Sequence, residues 1–281
     1  IAALPRMQHA AVWPRAHLGK DFTLACLARG ALALAEGGAL WCSARKQKGA
    51  ESLADAMAAL LGNVEVVERD RGYRLMRSMH EGRIDDAHAR ELIDRRYAIT
   101  DDALPGITLA SAPGVFSRKA LDDGTRALIE HADAMALAPT HVIDLCAGIG
   151  PLAIWAARRF ADAKVLAVES NLVAGALLQH NAVQAGVGDR VTLSATDGLP
   201  KSPPERNTVE LALVNPPTHA ERSDLVRLIA GLRPWMAPGG LALVVVSRAG
   251  VSTDGLREAG AAVTVRNAGA YSILEGRWES T

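Results

Sequence analysis

Two hydrophobic rhythms alternate along most of the chain. Short runs rich in Val, Leu and Ala, such as Val64–Val67, Ala39–Ala44, Val165–Val168 and Leu211–Val214, are too brief for helices and predict strands. Between them apolar residues recur at a spacing near 3.6, as at Leu53, Met57, Leu60 and Leu61, which predicts a helix over 51–61. Strands and helices taken in turn predict an α/β fold built on a parallel sheet. The segment 81–97 is charged and helical in pattern, with Ile84, Ala87, Leu92 and Ile93 on one side, and 100–106 reads as a loop.

Laid over itself, the chain repeats. Val12-Trp-Pro-Arg-Ala-His17 falls on Val214-Asn-Pro-Pro-Thr-His219, and the same offset, without a gap, places Gly37-Gly38 on Gly239-Gly240. Around each Gly pair the order is helix, glycines, apolar strand (Ala39–Ala44; Leu241–Ser247), helix (Glu51–Leu61; Asp254–Ala259) and two further strands. Tyr73 then matches Tyr271 after a small gap. These features predict a partial, degenerate domain over 1–78, a linker over 79–104 and a complete domain of the same fold over 105–281. The first copy carries Trp13 and Arg15 where the second has an amide and a proline, so a scaffold or substrate-docking role is expected there.

Composition narrows the class. The 281 residues are 49% hydrophobic and 22% charged, which excludes global disorder. Lys plus Arg number 31 and so do Asp plus Glu, so any nucleic-acid contact must come from a local basic groove. Arg45-Lys-Gln-Lys48 follows a strand and is a candidate phosphate contact, whereas Arg90, Arg95 and Arg96 read as a solvated helix face. With 4% aromatics, a broad stacking sheet for RNA is not expected. Cys26, Cys42 and Cys146 are odd in number and scattered, which predicts reduced thiols and a cytoplasmic setting. No apolar run reaches the ~20 residues of a membrane span. Residues 1–6 lack a signal-peptide layout, and no Met opens the chain, so a longer natural N-terminus is compatible with it. The histidines show no metal-ligand grouping, no metal is expected, and Trp155 and Trp235 read as core.

The chemistry gathers at strand ends in the second copy. Thr140-His-Val-Ile-Asp-Leu-Cys-Ala-Gly-Ile-Gly150 is a buried strand running into a glycine turn, then an apolar helix. Gly148 and Gly150 let backbone pass close to a ligand. With Ala153 and Glu169 they also fit a dinucleotide fingerprint, which on its own is weak. Asp144 closes this strand, Glu169 the next, Asp197 a third and Asn215 a fourth. Four such ends would line one rim of a parallel sheet, where ligands bind in these folds.

The series DLCAGIG, VES, TDG and VNPPTH resembles the Rossmann-like S-adenosylmethionine-dependent methyltransferases that act on exocyclic or amide nitrogen. Pro113-Gly-Val-Phe-Ser and Leu121-Asp-Asp-Gly-Thr125, with the degenerate N-terminal copy, are similar to the guanine-N2 methyltransferases of small-subunit ribosomal RNA. The resemblance implies S-adenosylmethionine as cofactor, ribosomal RNA or the small subunit as partner, no membrane, and a monomer. It would place Asp144, Gly148 and Gly150 around the methionine part, Glu169 at the ribose and Asp197 at the adenine, with Cys146, Ala147, Ser170 and Gly198 also binding the cofactor. Phe116, Thr125 and Asn215 would line the cofactor pocket, Asn215, Pro216 and Pro217 would hold the target amine, and Thr218 and His219 would touch the substrate.

That chemistry suits the residue types. The lone pair of an exocyclic amine is spread into its ring, so acceptors at Asn215 and Pro216 that take its N–H bonds would tilt the pair toward a methyl donor, with two prolines stiffening the loop. Thr218 stands where the family usually has an aromatic, Glu210 where Asp is common, and Ser247-Arg248-Ala249 where an Asn-containing stretch is usual. Large-subunit RNA, transfer RNA and protein glutamine therefore stay open as targets, as does a cofactor-binding assembly factor without turnover. A nicotinamide dehydrogenase ranks last.

Overall fold

The computed structural model describes residues 6–15, 18–200, 203, 205–217, 220–247 and 250–279. The chain divides into two units, Ile1–Arg96 with Ala112–Gly114, and Tyr97–Ser111 with Val115–Thr281. In the first, β1 (Met7–Val12), α1 (Gly19–Ala33), β2 (Leu34–Arg45), a 3-10 turn (Lys46–Lys48), α2 (Ala50–Leu61), β3 (Glu65–Asp70), β4 (Tyr73–Met79) and α3 (Asp86–Ile93) follow in order. Its sheet runs β1-β2-β4-β3, with β1 and β2 parallel and the other pairs antiparallel. Leu53, Met57, Leu60 and Leu61, the stripe read from the sequence, are buried with Leu27, Leu40 and Met76.

The second unit opens with a two-stranded ladder, β5 (Tyr97–Thr100) and β6 (Thr108–Ser111). Then come α4 (Asp123–Asp133), β7 (His141–Leu145), α5 (Pro151–Arg159), β8 (Lys164–Val168), α6 (Leu172–Gln184), β9 (Val191–Ser194), β10 (Val209–Val214), α7 (Arg222–Ala230), β11 (Met236–Val246), α8 (Gly250–Glu258), β12 (Ala262–Ala268) and β13 (Tyr271–Arg277). The seven-stranded sheet runs β12-β13-β11-β10-β7-β8-β9; β11, β10, β7, β8 and β9 are mutually parallel, and β13 runs antiparallel to its two neighbours, β11 and β12. Side chains of successive strand residues point to opposite faces. Leu211 and Leu213 pack with α4, α5 and α6, while Ala212 and Val214 pack with α7 and α8, so helices cover both faces. Trp155 and Trp235 are buried.

The repeat is visible in the strand register. In β1 and β2, Met7 pairs with Leu34, then a bulge intervenes and His9 pairs with Ala39 through to Val12 with Cys42. In β10 and β11, Val209 pairs with Met236, a bulge follows, and Leu211 pairs with Leu241 through to Val214 with Val244. The Gly pairs explain the shared bulge. Gly37 and Gly239 both take positive φ, at 79° and 77°. A Cβ on Gly38 would lie 2.9 Å from the Ala35 and Met7 carbonyl oxygens, and one on Gly240 would lie 2.8 and 3.0 Å from those of Ala237 and Val209. Tyr73 and Tyr271 occupy the same place, opposite Asp70 and Ala268.

Residues 79–104, expected as a linker, hold α3 and β5; α3 packs on α1, and Asp85 caps it by accepting the His88 N–H at 2.9 Å. The helix is shorter than the charged pattern suggested. The β5–β6 ladder was not expected, because four-residue strands are too short to show a period.

Gly240→Ala should destabilise the protein by about 1–3 kcal/mol, since the added methyl meets two backbone carbonyls that cannot swing away. Urea denaturation checks this through a lower midpoint with an unchanged slope.

Candidate active site

The strand order reverses between β7 and β10, which are adjacent though far apart in sequence. That is the point at which an open α/β sheet leaves a crevice beyond its strand carboxyl ends. β10, β7, β8 and β9 lie side by side there, so Asn215, Asp144, Glu169 and Asp197 follow strands that share one rim.

Asp144 is fully buried; its Oδ2 accepts the Ala153 N–H at 2.8 Å, capping the first turn of α5. Its Oδ1 is buried with no partner among the described residues. Burial in apolar surroundings pushes this carboxyl up to about 8, with a further contribution from Glu169 and an opposing one from the Ala153 N–H. The turn above it is held by the next strand: Cys146 N–H and Ala147 N–H both donate to Val168 O at 3.0 Å. Cys146 has φ of 67° and Gly148 of 57°, in the left-handed region. Around the position of a Gly148 Cβ there is no atom within 4 Å, so the missing side chain leaves open space. Gly150 is different: a Cβ there would meet Leu178 Cγ at 2.8 Å, so it serves packing. Glu169 reaches back to this turn, accepting the Gly148 N–H at 2.7 Å on one oxygen and the Asn171 N–H at 2.7 Å on the other. An ionised carboxylate has about four acceptor sites, so each oxygen keeps capacity for a ligand hydroxyl. The Cys146 thiol is pushed up to about 12 by burial, then by Glu169, Asp144 and Asp197, so it is no nucleophile at neutral pH. With its carboxyl raised by burial, Asp144 would ionise when a cationic ligand sits beside its free oxygen, which couples ligand binding to loss of that proton.

On the other side of the crevice, Asn215 has both amide hydrogens engaged. Nδ2 donates to Asp122 Oδ2 at 2.9 Å and to Thr125 Oγ1 at 2.8 Å. Asp122 is itself fixed as the N-cap of α4, accepting the Thr125 N–H at 2.9 Å. The amide is thus held with its carbonyl oxygen unspent among the described residues, and Pro216 and Pro217 restrict the backbone that follows. Phe116, Thr125, Cys146, Ala147, Gly148 and Asn215 line one narrow cavity. Phe116 is 62% exposed, so it is not a core residue. Asp197, Gly198 and Pro217 line a wider cavity of about 470 Å³ with Asp224. Ser170 is exposed, Pro216 is buried, and neither lines these two cavities. Thr218 and His219 lie outside the described residues, as do Arg248 and Ala249. Glu210 sits at the far end of its strand, accepting the Thr140 and His141 N–H groups, so its exchange for Asp does not touch the rim.

Two residues escaped the sequence reading. Asp122 was visible in the Leu121-Asp-Asp-Gly-Thr125 segment, but nothing local indicates that it grips Asn215. Asn181, buried in α6, accepts the Ala110 N–H at 2.8 Å and donates to Ala110 O and Ile149 O, both at 3.0 Å. It ties β6 to the glycine turn; its one signal was a polar residue on the apolar face of a helix. Among the described residues, no cluster of His, Cys, Asp and Glu is placed to hold a metal, and no helix is long and apolar enough to cross a membrane.

The family model of the methyltransferase small domain matches residues 106–275, more than half of the chain. The chain belongs to the methyltransferase small domain family. Two relatives are similar to it. The Ribosomal RNA small subunit methyltransferase C of Chromohalobacter salexigens is 30% identical over 242 residues, 84% of this chain and 67% of that protein. The Ribosomal RNA large subunit methyltransferase G of Pseudomonas entomophila is 34% identical over 149 residues, 51% of this chain and only 39% of that protein. Among solved structures, the T. thermophilus 16S rRNA N2 guanine methyltransferase RsmC, in complex with AdoMet and guanosine, superposes with a TM-score of 0.79 at 23% identity, covering 99% of this chain and 75% of that one. This likeness shows the α/β fold of a Rossmann-like methyltransferase.

Asp144 makes stability depend on pH in a stated direction. Its folded value, about 8, lies above the unfolded value near 4, so between them the folded state keeps a proton that the unfolded state has lost. Stability from this group is full below about pH 4 and declines as pH rises through about 8. Asp144→Asn removes the titration, so its Tm minus that of the parent should grow between pH 5 and pH 8. A difference that stays flat across that range would mean the carboxyl ionises normally.

Proposed function

We propose that this chain is an S-adenosylmethionine-dependent methyltransferase acting on RNA, with the exocyclic N2 of a guanine in small-subunit ribosomal RNA as its target. The observation that carries the reading is Asn215, an amide locked by Asp122 and Thr125 beside the glycine turn with its acceptor oxygen unspent.

The residues fit the cofactor. S-adenosylmethionine carries a sulfonium, an ammonium and two ribose hydroxyls, and supplies an electrophilic methyl group when bound. The orphaned Oδ1 of Asp144 suits the ammonium of the methionine part, the space at Gly148 admits the ligand against backbone, the spare lone pairs of Glu169 suit the ribose, and the carboxyl group of Asp197 suits the adenine amino group. Asn215 Oδ1 and the Pro216 carbonyl accept the two N–H bonds of the target amine, which draws its lone pair out of conjugation. This is catalysis by positioning and fixed dipoles, and it needs no strong base in the motif if the proton leaves after transfer.

Small-subunit RNA is favoured because the Chromohalobacter relative aligns over both units, and the RsmC structure, a complex with AdoMet and guanosine, matches both. Large-subunit RNA is the second reading, favoured by the Pseudomonas relative's 34% identity over 149 residues. The three described free cysteines support a reducing, cytoplasmic setting.

Tritiated methyl transfer from S-adenosylmethionine to unmodified small and large subunits, followed by nucleoside identification, tests the proposal. Labelled N2-methylguanosine from the small subunit is expected. Asn215→Ala should lower kcat about 10²–10³-fold and leave cofactor affinity nearly unchanged by calorimetry. Transfer that survives this substitution would overturn the catalytic assignment.

A further inference from the structure

The first unit contains a cavity of its own, about 540 Å³, at the carboxyl ends of β1 and β2. By the strand register, Trp13 stands one residue beyond Val12 as Asn215 stands one beyond Val214. The cavity therefore occupies the place in this copy that the Asn-Pro-Pro pocket occupies in the other. Its walls have been rebuilt. Trp13 and Tyr73 stack with ring centroids 6.1 Å apart and planes 29° apart, and the Arg45 guanidinium lies 5.0 Å from the Tyr73 centroid. Arg15, Lys20 and Lys48 complete a set of four cations around the aromatic pair. No carboxylate lines the cavity, and no ion pair engages these four cations among the described residues. Trp13 is 67% exposed, an apolar surface that water covers poorly.

We propose that this cavity binds one nucleotide of single-stranded RNA, its base stacked on Trp13 and its flanking phosphates held by Arg15, Lys20, Arg45 and Lys48. An aromatic platform beside unpaired cations is the arrangement that takes a base and its backbone together, and stacking tolerates any base because each has a π-face. The volume falls in the range of small-ligand pockets, ample for a single nucleotide. A duplex hides its base faces, so the site selects unpaired strand. The chain's zero net charge makes the local concentration of cations more telling. The substitution of Trp13 for an amide removes the acceptor that transfer needs, so this site holds RNA without modifying it. The ligand class rests on the RNA-directed reading above; the site's existence does not.

Fluorescence anisotropy of a labelled single-stranded RNA decamer with the full chain, at several salt concentrations, tests this. Trp13→Ala should weaken binding about tenfold or more, and Trp13→Phe should restore most of it. The double variant Arg45→Ala/Lys48→Ala should make the slope of log affinity against log salt shallower by about 1 or more. Because Trp13 is exposed, Tm should hold, which separates lost binding from lost folding. Unchanged decamer affinity in Trp13→Ala overturns the proposal, as does equal affinity for a duplex of the same length. Full displacement by millimolar guanosine monophosphate overturns it in favour of a free nucleotide, and preference for an acidic peptide overturns it in favour of a protein partner. Methyl transfer by the unaltered chain is measured alongside: no transfer with Trp13-dependent RNA binding sinks the catalytic reading alone, and the converse sinks this one alone.

Discussion

Everything at the rim of the crevice depends on β7 and β10 being parallel neighbours. Their pairing, Val142 with Leu211 through Leu145 with Val214, brings the glycine turn and the Asn-Pro-Pro segment to the same edge of the sheet. The helices that follow the two strands pack on opposite faces, α5 on one and α7 on the other. The two connections must therefore part at the rim, and a crevice remains between them. No local preference of either segment creates that opening; it follows from strand order.

Within the crevice, polar side chains divide their bonding capacity between holding the fold and facing a ligand. Asp144 spends one oxygen on the helix cap and keeps the other. Glu169 spends one site on each oxygen, steadying Gly148 and Asn171. Asn215 gives up both amide hydrogens and keeps its carbonyl. Buried polar groups must be satisfied or carry a cost, and here the satisfied half of each group orients the half that is left. Asn181 does the same work one layer back, with every bond directed at backbone.

The two copies show which parts of this design belong to the fold and which to the chemistry. The bulge, the glycine pair and the parallel register recur in both, because they answer to close backbone approach and to apolar faces that must be covered. The residue just past the first strand answers to neither. Exchanging an amide for Trp13 there leaves the sheet intact and changes what the pocket can do.

Periodicity, the repeated Gly pair and the four polar strand ends were legible in the sequence, because burial imposes its period on the chain and turns demand particular residues. The family resemblance rested on contiguous motifs, which need no third dimension to be read. The β5–β6 ladder was not legible, since four residues are too few to display a rhythm, nor was the packing of α3 in a stretch that reads as connection. At the site, the sequence alone determined which residue types end the strands. Only the tertiary structure decided that Asp122, 93 positions from Asn215, fixes its amide, that Asp144 caps a helix with half its carboxylate, and that Trp13 meets Tyr73 over a ring of cations. The first and last join segments distant along the chain, and the cap of Asp144 depends on the path of the turn between strand and helix; no local pattern encodes a distance that folding has yet to close.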